Sequence, residues 1–202
     1  GIIACCGRVN RGFAAMGDRL FKTTLDAHIV AISLKSGVIL WDTVMENFRN
    51  GYSGTPAPLA FKDKVVAGMA GAEYGVRGFV DAYDMNTGKR AWRFYTTAGP
   101  EDPGHRTWQG QDAKAWEHGG GSTWTTGSYD PELNLVFWGT GNAGPDYNGD
   151  LREGDNLYTA SLVALDGDTG KMRWHYQFTP HDLHDWDATE PFVLVDTTYR
   201  GR

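Results

Sequence analysis

Apolar and polar positions alternate along the chain in short runs punctuated by glycine, as expected for half-buried strands joined by tight turns. Three segments align without gaps: 31–41 (AISLKSGVILW), 82–92 (AYDMNTGKRAW) and 164–174 (ALDGDTGKMRW). Each runs through Ala, an apolar or aromatic residue and a polar residue to Ser or Thr, then Gly, with Trp four steps later. The glycines fall at 37, 88 and 170 and the tryptophans at 41, 92 and 174. The pattern predicts a hairpin whose turn glycine has positive φ and whose second strand carries the tryptophan. One Trp at a fixed offset from each turn points to a docking contact between neighbouring units.

The units start at 31, 82 and 164, about 50 and then about 80 residues apart, a period that reads as propeller blades with an insertion or a degenerate unit in the longer interval. Further strands are expected at 64–69, 78–82 and 133–139. The polar, Gly- and Pro-rich stretch 99–121 is expected to be a loop excursion between blades. The fold class is therefore all-β, a propeller of four-stranded antiparallel blades; a β-sandwich with coincidental hairpins is the alternative.

Composition supports this picture: 27 glycines and 8 tryptophans among 202 residues suit a turn-rich β repeat. The formal charge is −6, and Lys and Arg are scattered, which excludes a nucleic-acid footprint. No apolar run approaches the roughly 18 residues of a spanning helix. Gly1 is not an initiator and no leader is visible, so residues 1–202 are expected to be one partial domain, cut at both ends.

Cys5 and Cys6 are adjacent and are the chain's two cysteines. Neighbouring Cα atoms lie about 3.8 Å apart, closer than the roughly 4.4–6.8 Å of ordinary disulfides. By itself the pair reads as buried thiols or as a strained eight-membered ring. The segment 5–12 (CCGRVNRG), however, resembles the vicinal-cysteine motif of quinoprotein methanol and ethanol dehydrogenases. The resemblance continues in family order. It takes in Thr55, 70–78 (AGAEYGVRG), 120–124 (GGSTW), 138–142 (WGTGN) with Pro145, and 179–185 (TPHDLHD).

The resemblance implies a periplasmic enzyme with an eight-bladed ring, of which this chain covers roughly half. It implies a Cys5–Cys6 disulfide and bound pyrroloquinoline quinone (PQQ). The disulfide ring and Trp124 would flank the planar quinone. Arg11 would offer a fork to its oxygens, and Thr55, Ala70, Gly71, Ala72 and Ser122 would add polar contacts. Glu73 and Asn142 are hard oxygen ligands for a cation that polarises the quinone carbonyl. Asp185 would be both ligand and base. The reaction implied is oxidation of a short primary alcohol to the aldehyde, with electrons passing to a cytochrome c; homodimer formation stays open.

Asp187 sharpens the metal assignment. In an extended segment it shares a face with Asp185, giving three anionic ligands with Glu73. Within the resemblance, Asp here marks the lanthanide-dependent branch, with Ca²⁺ as the alternative; a turn-capping Asp is the structural reading. Two departures stand out: Leu183-His184 replaces the common Glu-Trp, and Ala70 replaces a frequent Ser. A further cation and a floor tryptophan would lie beyond residue 202. The rival readings are a metal-dependent hydrolase using His181, Asp182, His184 and Asp185, and a non-catalytic propeller scaffold.

Overall fold

A computed structural model describes residues 1–201, which fold into three four-stranded antiparallel sheets, each in simple meander order. The first contains β1 (Ala14–Met16), β2 (Arg19–Thr23), β3 (His28–Ser33) and β4 (Ile39–Val44). The second contains β5 (Leu59–Phe61), β6 (Lys64–Gly68), β7 (Phe79–Asp84) and β8 (Arg90–Tyr95). The third contains β9 (Ser128–Asp130), β10 (Leu135–Gly139), β11 (Ser161–Asp166) and β12 (Met172–Gln177). These are three blades of a β-propeller, as the repeat predicts. The long interval holds loops and no fourth sheet: 99–121 passes between the second and third blades, and 140–160 joins β10 to β11.

The repeat maps onto one geometry. Ala31 pairs with Trp41, Ala82 with Trp92 and Ala164 with Trp174, and each pair is followed at once by a β-bulge. The turns are also alike, with the amide of Gly37, Gly88 or Gly170 donating to the carbonyl of Ser33, Asp84 or Asp166. In the second and third turns a carboxylate oxygen of Asp84 or Asp166 accepts from two following amides and from a Thr hydroxyl. This is the Asx arrangement that favours Asp at such corners.

Trp41 and Trp92 each dock on the turn of the next blade. Trp41 Nε1 donates to Met85 O at 3.0 Å and Trp92 Nε1 to Gly167 O at 3.3 Å. Between the docked faces lie two apolar cores. Phe21, Ile29, Val65, Met69, Phe79 and Tyr83 fill the first; Val66, Val80, Trp92, Val136, Trp138 and Leu165 fill the second. Strand β7 serves both, sending Phe79 and Tyr83 to one side and Val80 and Ala82 to the other, as the two-residue strand period requires.

One ion pair crosses the first interface. Asp81 is fully buried among apolar neighbours, and Arg93 grips it with Nε and Nη2, both at 2.7 Å. Tyr83 Oη donates to the same carboxylate at 2.6 Å. The guanidinium then reaches the first blade, where Glu46 Oε1 and Met45 O accept from it at 2.8 and 3.0 Å. Against the opposing effect of burial, the Asp81 carboxylate, with Glu46 alongside, pushes the Arg93 pKa up.

Candidate active site

Loops at one end of the blades enclose a cavity of about 350 Å³. It is lined by Cys5, Cys6, Val9, Arg11, Thr55, Ala70, Glu73, Trp124, Asp146, Tyr147, Asp185 and Asp187. Nine of these are site residues expected from the sequence, drawn from segments as far apart as 5 and 187. Gly71, Ala72, Ser122 and Asn142 lie outside the wall; Ala72 borders a neighbouring cleft with Glu73 and Asp146.

The amino-terminal segment is held against the first two blades. Asn10 Nδ2 donates to Thr23 O at 2.9 Å, and the amide of Arg11 donates to Thr55 O at 3.0 Å. This presents Cys5 and Cys6, joined by a disulfide with Cα atoms 3.8 Å apart, to the cavity. Trp124 is fixed through its neighbour Thr123, whose Oγ1 donates to Phe79 O at 2.6 Å and accepts from the Met69 amide at 2.8 Å. The Arg11 guanidinium lies 4.7 Å from the Trp124 ring centroid, a cation–π arrangement. Buried Thr55 has a hydroxyl with no hydrogen-bond partner among the described residues. An orphaned polar atom on a cavity wall calls for a polar ligand.

The carboxylates dominate the electrostatics. Glu73 sits on a one-turn 3-10 helix, Ala72–Tyr74, opened by Gly71 at positive φ. Burial raises its pKa, and Asp146 and Asp187 raise it further. The Asp185 pKa is pushed up to about 6, first by burial and then by Asp187, Asp146, Glu73 and Asp182. Asp187 is raised chiefly by burial, with help from Glu190, Asp182 and Asp146. Among the described residues, no three His, Cys, Asp or Glu side chains converge on one point, so these carboxylates stand around the cavity rather than in a closed cage. Their mutual repulsion and hard oxygen character suit a large cation.

Asp185 and Asp187 both reach the cavity, but not from the extended segment expected. Each has left-handed φ, 58° and 55°. The reason is Asp182, whose buried carboxylate accepts from the His184 amide at 2.8 Å and the Trp186 amide at 3.1 Å, curling the chain into a turn. Asn142 stands behind the wall. Its Nδ2 donates to Ala143 O at 3.2 Å and to Asp146 Oδ1 at 2.5 Å, which fixes the amide and leaves Oδ1 uncommitted.

Asp146 and Tyr147 were not foreseen from the sequence. Pro145, three residues after Asn142, was the available signal, but nothing in the sequence says which way the following side chains point. His181 and His184 do not join the site. His181 Nδ1 lies 2.9 Å from Gly154 O, and the His184 ring stacks on Trp186 at 5.5 Å. A hydrolase centre built on those histidines therefore has no geometric support.

Residues 11–202 match the family model described as PQQ: glucose/ethanol/alcohol dehydrogenase, β-propeller domain. The chain is 46% identical to quinohemoprotein alcohol dehydrogenase ADH IIB of Pseudomonas putida, over 98% of this chain and 30% of that protein. It is 41% identical to a lanthanide-dependent methanol dehydrogenase of Methylacidiphilum fumariolicum (strain SolV), over 99% of this chain and 35% of the relative. Among solved structures, a europium-containing methanol dehydrogenase superposes with a TM-score of 0.92 at 40% identity, over 98% of this chain and 37% of that one. The chain thus spans about a third of the length of the curated relatives it matches.

Proposed function

Because the chain belongs to the PQQ glucose/ethanol/alcohol dehydrogenase β-propeller family, we propose that it is an internal part of an enzyme that oxidises a short primary alcohol, such as methanol or ethanol, to the aldehyde. PQQ is its electron acceptor, and a cytochrome c takes the electrons onward. The observation that carries this reading is the single cavity that gathers Cys5–Cys6, Arg11, Thr55, Trp124, Glu73, Asp185 and Asp187.

The disulfide and Trp124 supply flat, polarisable surfaces for a planar ring system. Arg11 supplies a cation for its carboxylates, and the free Thr55 hydroxyl a hydrogen bond. Ala70 lines the same cavity, and Gly71, Ala72 and Ser122 lie outside its wall. Glu73, Asn142, Asp185 and Asp187 would hold the metal. When bound, the quinone supplies a two-electron acceptor and the cation a Lewis acid beside it. With that two-electron acceptor in place, Asp185 would take the proton of the alcohol hydroxyl. In the metal-free protein burial and the neighbouring carboxylates push its pKa up to about 6. A vicinal disulfide fits an oxidising compartment, consistent with a periplasmic enzyme.

The metal is a light lanthanide. Asp187 supports this: with Glu73 and Asp185 it gives three carboxylates, which a trivalent ion balances more fully than Ca²⁺ does, and one relative is named as lanthanide-dependent. The test is reconstitution of full-length protein with PQQ and either La³⁺ or Ca²⁺, for wild type and Asp187→Ala. Wild type should need La³⁺ and the variant should lose that activity. Full wild-type turnover with Ca²⁺ alone returns the site to the calcium class, and no alcohol oxidation with either ion refutes the enzyme assignment.

A further inference from the structure

Arg152 lies outside every motif considered so far, yet its side chain is completely buried. Its Nε and Nη2 reach Pro145 O at 3.1 and 3.0 Å, and Nη2 also reaches Asp146 O at 3.0 Å and Asp182 O at 2.7 Å. Nη1 donates to Asn156 Oδ1 at 2.9 Å. Buried Asn156 in turn donates to Arg152 O at 2.6 Å, so the pair locks itself. All of these acceptors are neutral oxygens, which leaves the guanidinium's charge without a direct ion-pair partner in this cluster.

The acceptors belong to two loops distant in sequence, and both loops deliver carboxylates to the same cavity. One ends on Asp146, which orients the Asn142 amide. The other begins at Asp182, whose carboxylate curls the chain that carries Asp185 and Asp187. The planar, five-donor fork of arginine can hold carbonyls from both at once; a lysine offers a single point of charge and three donors.

We propose that Arg152 is a positioning residue that fixes the spacing between the Asn142–Asp146 loop and the Asp182–Asp187 loop, so that their oxygens face a common cation. The proposal rests on the reading of this cavity as a cation and quinone site. Arg152 touches neither ligand; it acts through the backbone carbonyls of Pro145, Asp146 and Asp182. Outer partners of this kind typically change metal affinity by roughly 10–100-fold.

The experiment uses the full-length protein as wild type, Arg152→Met and Arg152→Lys. La³⁺ affinity is measured in the presence of PQQ, and hydrogen exchange is followed by peptide in the metal-free protein. Arg152→Met should bind La³⁺ roughly 10–100-fold more weakly. Exchange should rise together in 143–148 and 182–187 while β10 and β11 stay protected, and Arg152→Lys should recover part of the affinity. Wild-type affinity in the Met variant, or faster exchange in only one loop, overturns the proposal. If Arg152→Met does not fold, Arg152→Lys decides: an unchanged affinity with unchanged exchange in both loops overturns it, and a paired change supports it. If wild type binds neither PQQ nor La³⁺, the functional reading fails, and the paired exchange response still decides whether Arg152 couples the loops.

Discussion

Trp92 of the second blade rests on Gly170 of the third so closely that a Cβ on Gly170 would stand 2.5 Å from the indole ring. The same relation links Trp41 to Gly88, where the added atom would stand 2.6 Å from the ring. Both glycines have φ near 70°. The small residue therefore meets two demands at once, a left-handed turn and room for a neighbour's indole. Gly170→Ala should destabilise the full-length protein by about 2–4 kcal/mol, combining backbone strain with overpacking. Gly17→Ala, at φ 60° with nothing within 4 Å, should cost only the backbone share. Equal losses in urea denaturation would contradict the docking account.

The Asp81–Arg93 pair gives a second prediction. Removing one partner strands the other in an apolar interface, so Asp81→Ala should cost about 3–5 kcal/mol. Replacing both with apolar residues should cost less than either single change. A double-mutant cycle by denaturation checks this, and additive losses would show that the pair is not coupled.

Asp185→Asn keeps an oxygen for the cation but removes the base. In the reconstituted full-length enzyme it should lower kcat by about 10²–10⁴, with a much smaller change in cation affinity. Near-normal kcat at saturating alcohol would take Asp185 out of that role.

Protons and the cation compete for the same carboxylates. With Asp185 held at about 6, cation affinity should fall as pH drops through that value, becoming about tenfold weaker at pH 5 than at pH 7. The sign reverses for the cation-free fold. A raised carboxylate pKa favours folding at low pH, and that contribution is lost as pH rises from 3.8, the ordinary value, to about 6. La³⁺ titrations at three pH values, alongside thermal unfolding without metal, test both signs; a flat affinity profile would be incompatible with Asp185 as a ligand.

The sequence revealed the blades because their signals are local: alternation, a turn glycine and a Trp at fixed offset produce the same register three times. It also identified most of the cavity wall, through motifs carrying Cys5, Cys6, Arg11, Glu73, Trp124 and Asp185. What it did not reveal depends on chain direction outside regular strands. The carboxylate of Asp146 reaches the cavity from an irregular loop, where no period dictates which side a residue faces. Asp185 and Asp187 share the cavity through left-handed kinks, not through strand alternation. Arg152 reads as a surface charge in sequence, since arginine is seldom fully buried; only the three carbonyls converging on it explain its place.

The Trp-to-turn contact has a polarity. Every blade presents an indole in one direction and a glycine corner in the other, so neighbours join head to tail and never face to face. Such heterologous joints carry no twofold axis, and a series of them ends only when accumulated rotation brings the last unit back to the first. Within this chain the indole of Trp174 is 44% exposed and nothing lies within 4 Å of a Cβ on Gly37. These are the two complementary halves of one more joint of the same kind, and among the described residues neither half is met.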